Sequence, residues 1–216
     1  MSFARDLGSI LSSGAPLAVA SVCLTLLLFS ANSIVLDTLG RGGIFIFSVA
    51  MNLLMMYNLF LSGSCNTLQS LGSIIAGSGD REALRYVIRK TVAFMTLSII
   101  IICSAVLIWP QALTAIFGGA SHPELVSQAN GALGIFALSF IPFCYIYVFM
   151  IVCKLLGRDK FALMISLMLS LTVIPVLYLM ARYAPDKIWY SYLIAYGIEI
   201  AVIALVASLT GRGRMA

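Results

Sequence analysis

The chain has 216 residues, of which 62% are hydrophobic and 10% charged, with a net charge of +5 and a mean hydropathy of +1.07. A water-soluble globular protein carries about a quarter charged residues, so that class is excluded. The basic excess does not indicate a nucleic-acid partner, because it forms no basic run with interleaved aromatics.

Six apolar runs follow one another, at 16–36, 44–76, 91–109, 126–153, 161–181 and 188–209, with Glu199 as the one charge inside them. Each is long enough to cross roughly 30 Å of hydrocarbon as a helix, and lipid-facing backbone must satisfy its own hydrogen bonds. The expectation is an all-α integral membrane protein, a single bundle of six transmembrane helices spanning residues 1–216.

Arg5 precedes the first run, which a cleaved signal peptide could also explain, with Ser30-Ala31-Asn32 as its small-residue site. The run exceeds the 7–15 apolar residues of a signal core, so it reads as a retained helix. Gly14-Ala15-Pro16 puts a proline in its first turn. Asn32 lies deep in this helix and is a candidate to meet cargo. Asp37 and Arg41, four apart, suit an interfacial ion pair. Gly40-Arg41-Gly42-Gly43 then makes an outer turn.

The second run is too long: a helix over 44–76 would reach about 50 Å. Ser48, Asn52, Met55, Leu59, Ser62, Asn66, Gln69 and Ser73 recur at steps of four and three, so they form one stripe. Asn52, Ser62, Asn66 and Gln69 are accordingly substrate-cavity candidates. The structural alternative is that these polar groups bond to neighbouring helices and hold the bundle together. Gly77-Ser78-Gly79-Asp80 ends the run, and Asp80 is placed to cap the next helix, whose first turns, Arg81–Lys90, lie at the inner interface.

Trp109-Pro110 ends the third run. Ser121 and Glu124 have capping-box spacing before the fourth, and His122 beside them reads as a loop residue. Pro142 and Pro175 interrupt the fourth and fifth runs. Gly157-Arg158-Asp159-Lys160 is a tight inner turn; Ala184-Pro185-Asp186-Lys187 is the last outer one, followed by Trp189 and Tyr190 at the interface.

Glu199 falls at the middle of the last run, where a charge costs about 2.5–3.5 kcal/mol on insertion scales. It is expected to be protonated much of the time or to face a hydrated interior. Tyr192 and Tyr196, seven and three residues before it, share its helical face. The three are ion-coupling candidates; the alternative is a carboxyl hydrogen-bonded to a tyrosine or a neighbouring helix. The five cysteines have no paired spacing, so neither a disulfide framework nor a metal site is indicated. No nucleophile–base pair or phosphate loop points to catalysis.

Charge fixes the topology. Arg5, Arg81, Arg85, Arg89, Lys90, Lys154, Arg158, Lys160, Arg212 and Arg214 fall on one side, against Arg41, Arg182 and Lys187 on the other. Cytoplasmic loops carry the Lys/Arg excess, so both termini are expected in the cytoplasm.

Several of these segments resemble those of multidrug and toxic compound extrusion (MATE) transporters. The stretch Leu71-Gly72-Ser73-Ile74-Ile75-Ala76-Gly77-Ser78-Gly79-Asp80, followed by the basic helix 81–90, is similar to that family's loop before the third span. Gly14-Ala15-Pro16, Trp109-Pro110 through Phe117-Gly118, Gly157-Arg158-Asp159-Lys160 and Ile188-Trp189 with Ser191-Tyr192 resemble further family segments in the same order. Family members have twelve spans in two halves; this chain resembles one half, the C-terminal one.

The resemblance implies a transporter half that exports amphipathic or cationic organic compounds by ion-coupled antiport. Its coupling ion would be sodium or a proton, with no other cofactor. Its cavity would be shared with a second six-helix half or with another copy of the chain, in the plasma (inner) membrane of a prokaryote. A truncated or non-transporting membrane subunit is the alternative. So is a flippase of lipid-linked saccharides, which would be expected to hold fixed cations inside its spans; this chain has none there.

Overall fold

The computed structural model describes the backbone of residues 3–117 and 123–212, and side chains at 22–114, 116–117, 129 and 131–206. The Ser121–Glu124 capping box and His122 lie outside the described side chains.

Uncharged apolar sequence without water leaves the backbone one solution, and the described chain is helical almost throughout. Helix α1, Phe3–Ser78, runs for 76 residues with one interruption, Gly40, at φ 67° and ψ −158°. Side chains other than hydrogen do not tolerate that region. The expected four-residue outer turn is thus a single glycine: Arg41, Gly42 and Gly43 are already helical. A Cβ at Gly43 would run into Leu39, so the bare backbone there lets the arms 3–39 and 41–78 meet. The kink also separates Asp37 from Arg41. Both are exposed and make no ion pair among the described residues, which corrects the expected interfacial pair.

The second arm has 38 residues by these bounds and is about 57 Å long, longer still than the sequence indicated. Its buried residues Ile46, Ala50, Leu53, Tyr57, Leu61, Cys65 and Leu68 step by three and four along one face. Gly79 at φ 78° closes the arm. Asp80 then caps α2 (Arg81–Ile108), its carboxylate accepting from the Ala83 N–H at 2.9 Å.

Trp109 ends α2, and α3 (Pro110–Ile116) follows at once. The fourth span is broken into α4 (Pro123–Leu138) and α5 (Phe140–Leu155), and the fifth into α6 (Asp159–Leu171) and α7 (Val173–Tyr183). Both breaks fall three residues before a proline, at Ser139 and Thr172. The ring of Pro142 denies Leu138 its helical bond, and Pro175 does the same to Leu171. Ser139 compensates locally by donating to the Phe136 carbonyl. A 3-10 turn, Pro185–Tyr190, leads into α8 (Ser191–Arg212).

Five stretches are long and apolar enough to cross a membrane, and the first, Val22–Ser78, is folded at Gly40 and makes two passes. Six spans therefore form the bundle. α1 packs on α2, α4, α5, α6 and α7, and α8 packs on α5 and α7. An aromatic column runs through the centre. Tyr57 stacks on Phe140 at 5.5 Å; Phe140 meets Phe136 at 5.6 Å; Phe136 meets Tyr192 edge-on at 4.9 Å. Large rings in contact hold helices that lipid, as apolar as they are, would not drive together.

Candidate functional site

The column ends on α8, and its end is polar. Tyr192, Tyr196 and Glu199 occupy one face of that helix, 3%, 3% and 0% exposed. The two phenol rings lie 6.2 Å apart, tilted edge to face, with Tyr196 also against Phe143 at 5.4 Å.

Neither oxygen of Glu199 has a hydrogen-bond partner among the described residues, and the Tyr192 hydroxyl has none. The tyrosine bond that would make Glu199 merely structural is not formed. An unbonded polar group held away from water costs about 1–3 kcal/mol. The sequence-derived trio is thus brought together, buried, and left with unused oxygens.

Beside it lies a cavity of about 510 Å³ between both arms of α1 and helices α5, α6 and α8. Tyr192 and Tyr196 form part of its wall, and Ser62 faces them from the second arm. Asn58, Tyr147, Ser166 and Ser170 complete the polar lining. No charged residue lines the cavity among the described residues. Such a wall offers hydroxyls, one amide and aromatic faces, which suits an amphipathic ligand.

The sequence reading missed Asn58, Tyr147, Ser166 and Ser170. Two signals were available: Asn58 and Ser62 are four apart on the second arm, and Ser166 and Ser170 are four apart on α6. Each pair is one turn of polar surface inside an apolar span.

The remaining cavity candidates do not join this group. Asn52, Asn66 and Gln69 are exposed, as are Ser48, Met55, Leu59 and Ser73 on the same stripe, with Ser62 half-buried where stripe and cavity meet. Asn52 donates to the Ser48 carbonyl at 2.9 Å, within its own helix. The stripe therefore does not bind this bundle together; it forms an outer wall, opposite the row of buried residues. Asn32 is exposed on the first arm, between Phe29 and Leu36, which are 71% and 48% exposed.

The MatE family profile matches residues 16–179. No curated protein matches the chain by sequence. Three solved structures superpose on it with a TM-score of 0.81 at 16% identity, each covering 99% of this chain and 48% of the other. They are a MATE protein in complex with MaL6, a MOP superfamily transporter from Pyrococcus furiosus, and an outward-facing multidrug resistance MATE family transporter. The chain spans about half the length of these transporters.

Proposed function

Because this chain belongs to the MatE family, we propose that it works as one six-helix half of an exporter for amphipathic or cationic organic compounds, driven by exchange for protons or sodium ions. The observation that carries this reading is the stripe from Ser48 to Ser73. Five of its six uncharged polar residues are exposed on the outside of the bundle, all but Ser62, along an arm that crosses the membrane. Hydrocarbon is a poor neighbour for amide side chains such as Asn52, Asn66 and Gln69. A second bundle, or another copy of this chain, would cover them and turn the stripe into one wall of a shared cavity. Rocking of the two bundles would then open that cavity to each side in turn.

Coupling falls to Glu199. Its buried carboxyl has no hydrogen-bond partner among the described residues, so taking up and releasing a proton or a cation breaks no bond there. Tyr196, three residues earlier on the same helix, lines the uncharged cavity. The absence of cations from that lining favours organic cargo over phosphate-linked saccharides. The charge asymmetry places both termini and residues 77–90 in the cytoplasm.

The test is reconstitution. Chain purified in mild detergent should be a dimer or accompanied by another bundle. In liposomes it should move a cationic dye against an imposed proton or sodium gradient. A monodisperse monomer that transports would overturn the shared cavity. An intact pair of bundles that moves no dye under either gradient would make the chain a non-transporting subunit. A cysteine at Ser78 that is labelled from outside intact cells would overturn the orientation.

A further inference from the structure

A second groove, of about 440 Å³, runs between the lower part of the long arm and the start of α2. Its walls differ from those of the cavity above. Leu68, Leu71, Val87 and Phe94 make an apolar floor, and Tyr86 and Lys90 stand at its α2 side. The Lys90 ammonium rests over the Tyr86 ring at 5.5 Å from its centre. Arg81, Arg85 and Arg89, all exposed, lie on the same first turns of α2 as Lys90.

The apolar floor does not stop at the groove. Phe94, Leu97, Ile101 and Ile108 continue up α2 at steps of three, four and seven, each more than half exposed. The surface joins a polar end, Lys90 with Tyr86 and the hydroxyls of Ser64, Thr67 and Thr91, to an exposed apolar track along α2. From Tyr86 to Phe94 the helix climbs about 12 Å, roughly the drop from a headgroup into acyl chains. Basic pockets between spans recognise anionic headgroups, and each Lys or Arg near the surface contributes about 1 kcal/mol toward them.

We infer that this groove is a binding site for an anionic phospholipid, with the phosphate at Lys90 and Tyr86 and one acyl chain along Leu68, Phe94 and Leu97. An annular lipid of any kind would fill an apolar track; the charge of Lys90, the one charged residue in the groove's lining among the described residues, selects the anionic kind. On the orientation proposed above, this lipid comes from the inner leaflet. The headgroup preference itself is measured in detergent and does not depend on that orientation.

The experiment is native mass spectrometry of the delipidated chain, incubated in parallel with phosphatidylglycerol and phosphatidylcholine carrying identical acyl chains. The chain should retain phosphatidylglycerol in clear preference. Lys90→Gln should lower that retention about fivefold, whereas Lys187→Gln, a charge on the opposite end of the bundle, should leave it unchanged. Phe94→Ala should weaken retention of both lipids. Equal retention of the two lipids overturns the site. A preference that survives Lys90→Gln overturns it as well, since diffuse attraction by the arginines would then suffice. Displacement of the bound lipid by glycerol phosphate alone would show that the acyl track contributes nothing, and would also overturn it.

Discussion

Two polar rows cross this bundle, and they invert the rule that holds in water. On the long arm the polar row faces mostly outward, and Asn52 and Ser73 bond to their own helix, to the carbonyls of Ser48 and Ser70, as Ser70 beside them does to that of Asn66. On α8 the polar row faces inward, and the Tyr192 hydroxyl and both Glu199 oxygens are left unbonded among the described residues. The exposed arm bonds several of its polar side chains to its own backbone, and the buried row does not. The hydroxyls bonded to their own helix can meet lipid at little cost, whereas the Asn66 and Gln69 amides call for cargo or a partner bundle. Burial without a partner among the described residues marks the inner row as costly.

The difference between the rows can be tested by substitution. The largest effect should come from the support of the inner row. Phe136→Ala removes the ring on which Tyr192 and Phe140 both rest and should destabilise the bundle by about 3–5 kcal/mol, read as a fall in detergent-solubilised thermal stability. A loss below about 1 kcal/mol would mean the aromatic column does not hold α8.

Glu199→Gln comes next. It preserves shape and removes the ionisable proton, so gradient-driven dye export should fall at least about tenfold, equivalent to 1.4 kcal/mol, with protein level and dye binding retained. Asp37→Asn, on an exposed residue with no ion pair, should be mild. If Asp37→Asn abolishes export and Glu199→Gln does not, coupling belongs to the first arm or the other half.

Tyr192→Phe deletes a buried hydroxyl that has no bond to lose. Stability should be unchanged or rise by up to about 1 kcal/mol. A clear fall in melting temperature would show that the hydroxyl is bonded, to water in the cavity for example. The smallest change in stability belongs to the outer row: Asn66→Ala and Gln69→Ala should alter the isolated bundle by no more than about 0.5 kcal/mol. Their effect should appear in assembly instead, as reduced recovery of the dimer or of an accompanying bundle on size exclusion.

What could be read in advance follows the same division. Six spans, the Asp80 cap and the breaks ahead of Pro142 and Pro175 are consequences of a helix's own backbone, so they were legible one segment at a time. The inner row was legible too, because Tyr192, Tyr196 and Glu199 share one helix and one face. The cavity wall was not. Asn58, Tyr147, Ser166 and Ser170 come from three helices, and nothing in a single register says which faces will converge. The stripe on the long arm was found for its periodicity, but whether it pointed into or out of this bundle depended on where the other helices packed. The outer turn at Gly40 shrank to one residue, and Gly43, which resembles a turn residue, serves instead to let the arm approach Leu39.

That single residue has a mechanical consequence. A loop of several residues would let the first two spans tilt independently, each taking up the other's motion in slack chain. Here the whole freedom between them is one pair of dihedral angles at Gly40, with Leu39 and Gly43 in contact on either side. The first span is a lever clamped to the long arm. A displacement of its far end must either turn the arm with it or rotate the backbone at Gly40, with no third way to absorb the movement.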